Sequence, residues 1–296
     1  MIKNISNHLM NQVSDAVNSL TGLSFPKERW PDLARGIEST AYDLGYKDTL
    51  SYIHSLLSSQ LNQEQLDILL KHLTIRDTFF FYDPTVFQVL KGHILSRWIR
   101  SRHSAERSIH IWSAGCGSGE EPYSIAMLVD QMIPPSQEWK ITILATEMDS
   151  FFLQKAKEGI YSHWSFRDIP EGILEKYFMK IDEDRFEISS RLKEMVYFYQ
   201  LNLTDIDCPP LIESTRNMDL VFCRNVLSNC PQNVRVEAVR LFSNCLKEGG
   251  WLIVGPSEAG LIEYPELNPV QFPGAILHRK GLPRKGDKLK EEMNSF

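Results

Sequence analysis

No stretch of this chain approaches the roughly 20 consecutive apolar residues that a membrane-spanning helix requires, so no helical transmembrane segment is expected. Paired cysteines are missing as well. Cys116, Cys208, Cys223, Cys230 and Cys245 are odd in number and contain no Cys-x-x-Cys pair, which excludes an obvious zinc knuckle or disulfide framework. The opening Met1-Ile2-Lys3-Asn4-Ile5-Ser6-Asn7-His8 is too polar for a secretory signal, and the chain reads as cytoplasmic. There is no basic excess: 32 Lys and Arg against 38 Asp and Glu give a net charge of −6, which argues against a general nucleic-acid binder. The eight histidines are scattered without metal-ligand spacing, so no metal site is expected, and no internal repeat is visible.

What is present suits a globular protein. A length of 296 residues accommodates one domain of about 200 residues and a smaller one. Residues 1–75 read as a helical domain. Leu9, Val13, Val17 and Leu20 form an apolar stripe at helical spacing, as do Trp30, Leu33, Ile37 and Ala41. Leu50, Ile53, Leu56 and Leu57 follow, then Leu66, Leu69, Leu70 and Leu73. Residues 76–108 read as a linker entering the site. Residues 109–280 then alternate strand and helix: strands over 109–113, 141–146, 195–201, 218–223 and 251–254, and helices over 121–132, 150–158 and 232–246. That alternation predicts a parallel sheet covered on both faces. Residues 160–194 break it and read as an inserted antiparallel β subdomain, and 281–296 as a solvated tail.

The most informative segment is Trp112-Ser113-Ala114-Gly115-Cys116-Gly117-Ser118-Gly119-Glu120-Glu121, which leaves a strand and opens a helix. Glycines there let the backbone turn sharply and approach a ligand. A dinucleotide would place its pyrophosphate at that helix entrance. Glu120 and Glu121 occupy the same entrance, and each carboxylate–phosphate pair at ~4 Å costs about 1–4 kcal/mol. S-adenosylmethionine carries a sulfonium and an ammonium and no phosphate, so it tolerates acids nearby. A dinucleotide oxidoreductase is thereby the weaker reading. One of the two glutamates can equally serve the helix dipole. At the end of the second strand Glu147 is placed to accept ribose hydroxyls, with Asp149 as its rival.

Further motifs surround this loop: Thr78-Phe79-Phe80-Phe81-Tyr82-Asp83, Ala145-Thr146-Glu147, Ala156-Lys157-Glu158-Gly159-Ile160-Tyr161, Asn202-Leu203, Cys223-Arg224-Asn225-Val226, and Gly249 to Glu258. Together with Trp112 to Ser124 they resemble the CheR-type chemotaxis receptor methyltransferases over nearly the whole chain. The resemblance implies a class I S-adenosylmethionine-dependent methyltransferase fold, a Rossmann-like doubly wound α/β sheet, with an N-terminal helical domain. It implies methyl transfer to glutamates on the cytoplasmic signalling domain of a chemoreceptor, S-adenosylhomocysteine as product, and a receptor-contacting role for residues 160–194. It assigns cofactor contacts to Thr78, Glu121, Glu147, Asn202, Leu203, Arg224 and Asn225. Arg76, Ala114, Gly115, Cys116 and Gly117 complete the expected cofactor set, and Tyr82, Arg224, Asn225 and Asn229 the expected acceptor side. No nucleic-acid partner or membrane insertion is implied, and a monomer is expected.

The sequence departs from the family at three site positions. Tyr82 stands where the family has a linker arginine, Asn229 where it has a tyrosine, and Glu147 where it has an aspartate. A neutral phenol offers one donor and no charge to an acceptor carboxylate. Losing both residues is expected to weaken carboxylate positioning and to leave cofactor binding intact. A protein that binds the cofactor without turning it over, or one that methylates a different protein, therefore stands beside the receptor methyltransferase. Two further features weigh little. Lys91, Arg97, Arg100, Arg102 and Arg107 read as a solvated basic helix and loop, with a surface that attracts an acidic helical substrate as the weaker reading, and Phe80 and Phe81 as packing residues. Cys116 reads as a small spacer in the loop and Cys223 as a packing residue.

Overall fold

The computed structural model describes residues 6–58, 61–73, 78–102, 107–133, 137–167, 169–203 and 217–281. Four helices come first: α1 (Asn7–Thr21), α2 (Trp30–Asp43), α3 (Thr49–Ser58) and α4 (Gln63–Leu73). Their apolar stripes meet in a core that includes Val13, Val17, Leu33, Ile37, Tyr52, Ile53 and Leu69. Ser6 caps α1 by accepting the Leu9 N–H, and Gly22 ends it with a φ of 73°.

The next segment, read from the sequence as a linker, carries helices. It forms α5 (Pro84–Val89), a π-helical turn (Leu90–Leu95) and α6 (Ser96–Ser101). Val86, Phe87, Leu90, Ile94 and Leu95 are buried in the same core as the sheet. The segment is thus a covering helix of the second domain. Arg102, from the basic run, lies over Trp98 and pairs with the buried Asp219, so it is not simply solvated.

Then come β1 (Ser108–Ala114), α7 (Glu120–Met132), β2 (Lys140–Glu147), α8 (Ser150–Glu158), β3 (Ile160–Ser162), α9 (Ile173–Tyr177), β4 (Phe178–Lys180), β5 (Arg185–Ile188) and α10 (Ser190–Lys193). The chain continues through β6 (Val196–Gln200), β7 (Met218–Cys223), α11 (Gln232–Cys245), β8 (Leu246–Val254), β9 (Leu267–Phe272) and β10 (Ala275–Lys280). Seven of these strands form one sheet in the order β6-β2-β1-β7-β8-β10-β9. The first five are parallel, and β10 runs antiparallel to both of its neighbours. The strand order reverses direction at β1, whose neighbours are β2 and β7, so the crevice for a ligand opens at the carboxyl end of β1.

The β9–β10 hairpin goes beyond the five expected strands. Pro269 sits in β9, which is the sheet's edge and can carry a residue without an N–H. The insert folds as a separate three-stranded sheet, β3-β5-β4, with α9 and α10 accompanying it. It is pinned by Phe80, whose ring lies 4.8 Å from Tyr161, 5.3 Å from Phe166 and 5.1 Å from Phe178. Phe80 and Phe81 are buried, as packing residues should be.

Candidate active site

The loop after β1 is shaped by main-chain geometry. Gly115, Gly117 and Gly119 all have positive φ (77°, 56° and 95°). At Gly115 a Cβ would meet Val226 Cγ2 at 2.4 Å, so no larger residue fits without displacing the far wall. Gly115 and Cys116 donate their N–H groups to the Thr146 carbonyl at 2.8 and 2.9 Å, which ties the loop to the end of β2.

Glu147, the last residue of β2, strengthens that tie. One of its carboxylate oxygens accepts the Gly117 N–H at 2.9 Å, and the other accepts the N–H groups of Met148 and Asp149 at 2.9 and 3.0 Å. It is buried and also lines the cavity. Glu147 is therefore a keystone of the loop as well as a candidate ribose acceptor. Asp149, its rival, accepts from Phe151 and caps α8 instead.

The two adjacent glutamates at the start of α7 part company, because consecutive helical residues point in different directions. Glu121 faces the cavity, accepts from the Ser113 hydroxyl at 2.7 Å and stands 3.8 Å from Arg224. Burial pushes its carboxyl above the usual range, and the Arg224 charge opposes the shift. Glu120 turns toward the insert, where the Ser118 and Ser165 hydroxyls donate to it at 2.7 and 3.0 Å. Burial raises its carboxyl too.

Tyr82 lies between two residues of positive φ, Phe81 at 57° and Asp83 at 65°. The Phe81 N–H is held by the Ser124 hydroxyl at 2.9 Å, and Asp83 caps α5. Arg224 closes the structure from above, donating to the Tyr82 carbonyl at 2.9 Å and to the Asp83 carboxylate at 3.0 Å. Its guanidinium carbon lies 5.2 Å from the Tyr82 ring centroid. The following loop is fixed by Glu258. This fully buried carboxylate accepts the N–H groups of Asn225, Ser228 and Gly255 at 2.8–2.9 Å and holds Asn225 at a φ of 59°.

Most of the residues expected at the site converge on one cavity of about 200 Å³: Thr78, Tyr82, Gly115, Cys116, Gly117, Glu121, Glu147, Asn202, Leu203, Arg224, Asn225 and Asn229. Ala114 does not line it; it is buried beneath the loop in the core around Trp112. Arg76 lies outside the described residues. Sequence reasoning missed the wall supplied by the helical domain. Thr21, Gly22, Leu23, Phe25 and Arg29 also line the cavity. The Ser24 N–H donates to the Asn229 carbonyl at 2.7 Å, and the Arg29 guanidinium donates to the Asn229 side-chain oxygen at 2.5 Å. No local pattern signals this contact, because its partners are 200 residues apart.

The lining fits a cationic, phosphate-free cofactor. Its carboxylates are Glu121 and Glu147, and the adjacent Asp83 and Glu121 already face the charge of Arg224. Beside Glu121 and Glu147 a pyrophosphate would be repelled, whereas a sulfonium or an ammonium would not. Among the described residues no group of three or more His, Cys, Asp or Glu side chains could hold a metal ion.

A sheet of this order, with its antiparallel β10 and a glycine loop at the β1 crevice, has the fold of a class I S-adenosylmethionine-dependent methyltransferase. Comparison with known proteins places it more narrowly. Residues 76–267 match the family described as CheR methyltransferase, SAM binding domain, and the chain belongs to that family. It is 31% identical to a chemotaxis protein methyltransferase of Borreliella burgdorferi, over 86% of this chain and 89% of that one. It is 33% identical to chemotaxis protein methyltransferase 2 of Vibrio cholerae, over 69% of each chain. With the chemotaxis protein methyltransferase of Escherichia coli it shares 32% identity, over 73% of this chain and 71% of the other. The protein is an S-adenosylmethionine-dependent methyltransferase. No helix among its described residues is long and apolar enough to cross a membrane.

Proposed function

We propose that this enzyme methylates glutamate side chains on the cytoplasmic signalling domain of a chemoreceptor. The observation that carries the reading is the composition of the cavity. Among its described lining residues there is neither histidine nor lysine, and the two glutamates are engaged with Ser113, Arg224 and backbone N–H groups. Both carboxylates are thus tied up in fixing the site rather than placed as a proton acceptor. A nucleophile already ionised at pH 7, such as a carboxylate, needs none. The relatives' names as chemotaxis protein methyltransferases support the receptor as its source.

When bound, S-adenosylmethionine supplies an electrophilic methyl group: a carboxylate oxygen bonds to the methyl carbon, the carbon–sulfur bond breaks with its electron pair passing to sulfur, and the methyl ester and S-adenosylhomocysteine result. The chain's own part is positioning. Thr78, Gly115, Cys116, Gly117, Glu121, Glu147, Asn202, Leu203, Arg224 and Asn225 hold the cofactor. Tyr82, Arg224, Asn225 and Asn229 shape the acceptor side, and the helical domain closes the cavity over both. No proton changes hands, so orientation and exclusion of water carry the catalysis. In this reading the protein works as a monomer in the cytoplasm, with no insertion into the membrane and no nucleic-acid partner.

Incubation with tritiated S-adenosylmethionine and chemoreceptor signalling fragments from the same genome tests the proposal. Base-labile label released as methanol is expected, since an ester hydrolyses where an N-methyl group does not. Tight binding of S-adenosylhomocysteine with no base-labile label on any fragment would instead favour a non-catalytic cofactor-binding protein. The replacements at Tyr82 and Asn229 are the observation behind that second reading. Base-stable label would point to a different acceptor.

A further inference from the structure

Arg29 belongs to the helical domain, in the turn Lys27–Arg29 between α1 and α2, yet it lines the same cavity as Tyr82 and Asn229. Only two cations line that cavity among the described residues, Arg29 and Arg224. Arg224 is committed. Its guanidinium serves the Asp83 carboxylate, the Tyr82 carbonyl and the nearby Glu121, and its side chain is 3% exposed. Two internal carboxylates therefore balance its charge. Arg29 is different. Its side chain is 32% exposed, and among the described residues the one carboxylate it approaches is Asp32 at 3.8 Å, which Arg35 also contacts. Its shortest contact is with a neutral amide, Asn229 Oδ1 at 2.5 Å. Its guanidinium carbon lies over the Phe25 ring, 5.0 Å from the centroid, which helps to hold the group in place.

Tyr82 and Asn229 stand where the family resemblance expects an arginine and a tyrosine. The asparagine at 229 offers its amide oxygen to the arginine N–H. We propose that Arg29 is the acceptor-binding cation of this enzyme: it enters the site from the helical domain, Asn229 and Phe25 hold it in place, and it clamps the glutamate carboxylate that Tyr82 cannot. The replacements at 82 and 229 then describe a relocated clamp. This inference rests on the receptor-glutamate reading above.

The test is a double-mutant cycle. A chemoreceptor signalling fragment and its counterpart with the target glutamates changed to glutamine are labelled with fluorescein. Their binding to wild type and to Arg29→Gln is followed by anisotropy in the presence of S-adenosylhomocysteine. Glutamine keeps a donor for Asn229 but removes the charge. Wild type is expected to prefer the glutamate fragment by about ten- to a hundredfold, the worth of one charge-assisted contact, and Arg29→Gln is expected to erase that preference. Methyl transfer should fall by a similar factor in kcat/KM, while S-adenosylhomocysteine affinity stays within about twofold. The pair Arg29→Gln with Tyr82→Arg should recover part of the transfer. A preference that survives in Arg29→Gln, with transfer unchanged, overturns the role of Arg29 and leaves receptor methylation standing. If wild type neither distinguishes nor methylates the glutamate fragment, the receptor-glutamate reading fails and takes the clamp with it. Retained cofactor affinity in Arg29→Gln shows that the variant is folded.

Discussion

Replacing Glu147 with glutamine removes one charge and changes almost nothing in shape. Its carboxylate takes three main-chain N–H groups, from Gly117, Met148 and Asp149, at 2.9–3.0 Å. A glutamine oxygen can keep the Met148 and Asp149 pair, but its NH2 group then faces the Gly117 N–H, donor against donor. One charge-assisted bond is lost, a buried N–H is left unpaired, and two further bonds lose their charge. At about 1–3 kcal/mol for an unsatisfied buried donor and a few tenths for each weakened bond, the fold should lose about 2–4 kcal/mol. At about 2 °C per kcal/mol for a chain of this size, Tm should drop by about 4–8 °C. The loss is concentrated at the loop that meets the cofactor. If half of it must be repaid on binding, Kd for S-adenosylhomocysteine rises by about five- to thirtyfold, and by more if Glu147 also accepts a ribose hydroxyl. Calorimetric titration with S-adenosylhomocysteine and thermal denaturation by circular dichroism measure the two effects on one preparation. Affinity within about twofold of wild type, together with an unchanged Tm, would refute the keystone role of this carboxylate.

Other expectations concern the charges around the loop. Burial raises the Glu120 carboxyl above its ordinary value of 4.5, so the fold favours its protonated form, and that contribution fades as pH climbs from 4.5 through the raised value. Glu120→Gln, which stays neutral, should therefore gain in Tm relative to wild type as pH rises above 4.5, and parallel Tm profiles would contradict this. Arg224→Met leaves the carboxylates of Asp83 and Glu121 without their partner, and should cost about 3–5 kcal/mol in urea denaturation and abolish cofactor binding. It should also push the Glu121 carboxyl further upward, because Arg224 is the main influence holding it down.

The fold was legible wherever the pattern was local. Apolar residues at helical spacing mark α1 to α4, and alternating strands and helices around the glycine loop define the parallel sheet. The β9–β10 hairpin was not legible, because Pro269 and Pro273 interrupt it and the charges of Arg279 and Lys280 resemble the start of a tail. Within the site, residue types predicted membership better than duty. Glu147 reads as a ligand acceptor, but its bonds to Gly117, Met148 and Asp149 depend on main-chain atoms that carry no sequence signal. Glu120 and Glu121 are identical neighbours that point in different directions, and only the helix phase and the arrival of Ser165 separate them. The Arg29–Asn229 contact joins two domains, and periodicity within either one says nothing of it.

The way the insert is seated has a practical consequence for anyone exchanging parts between relatives. Its inner side is committed. Tyr161 donates to the Ser118 carbonyl at 2.8 Å, Ser165 donates to Glu120, and Phe166 stacks on Phe80. Its outer side carries Trp164 and Met179, both about two-thirds exposed. A chimera that transplanted residues 160–194 whole would carry foreign contacts onto the cofactor loop and detune it, whatever the incoming surface recognised. One that grafted only the outward positions would change the face and keep the socket. The subdomain is in effect a replaceable keypad wired to a fixed board.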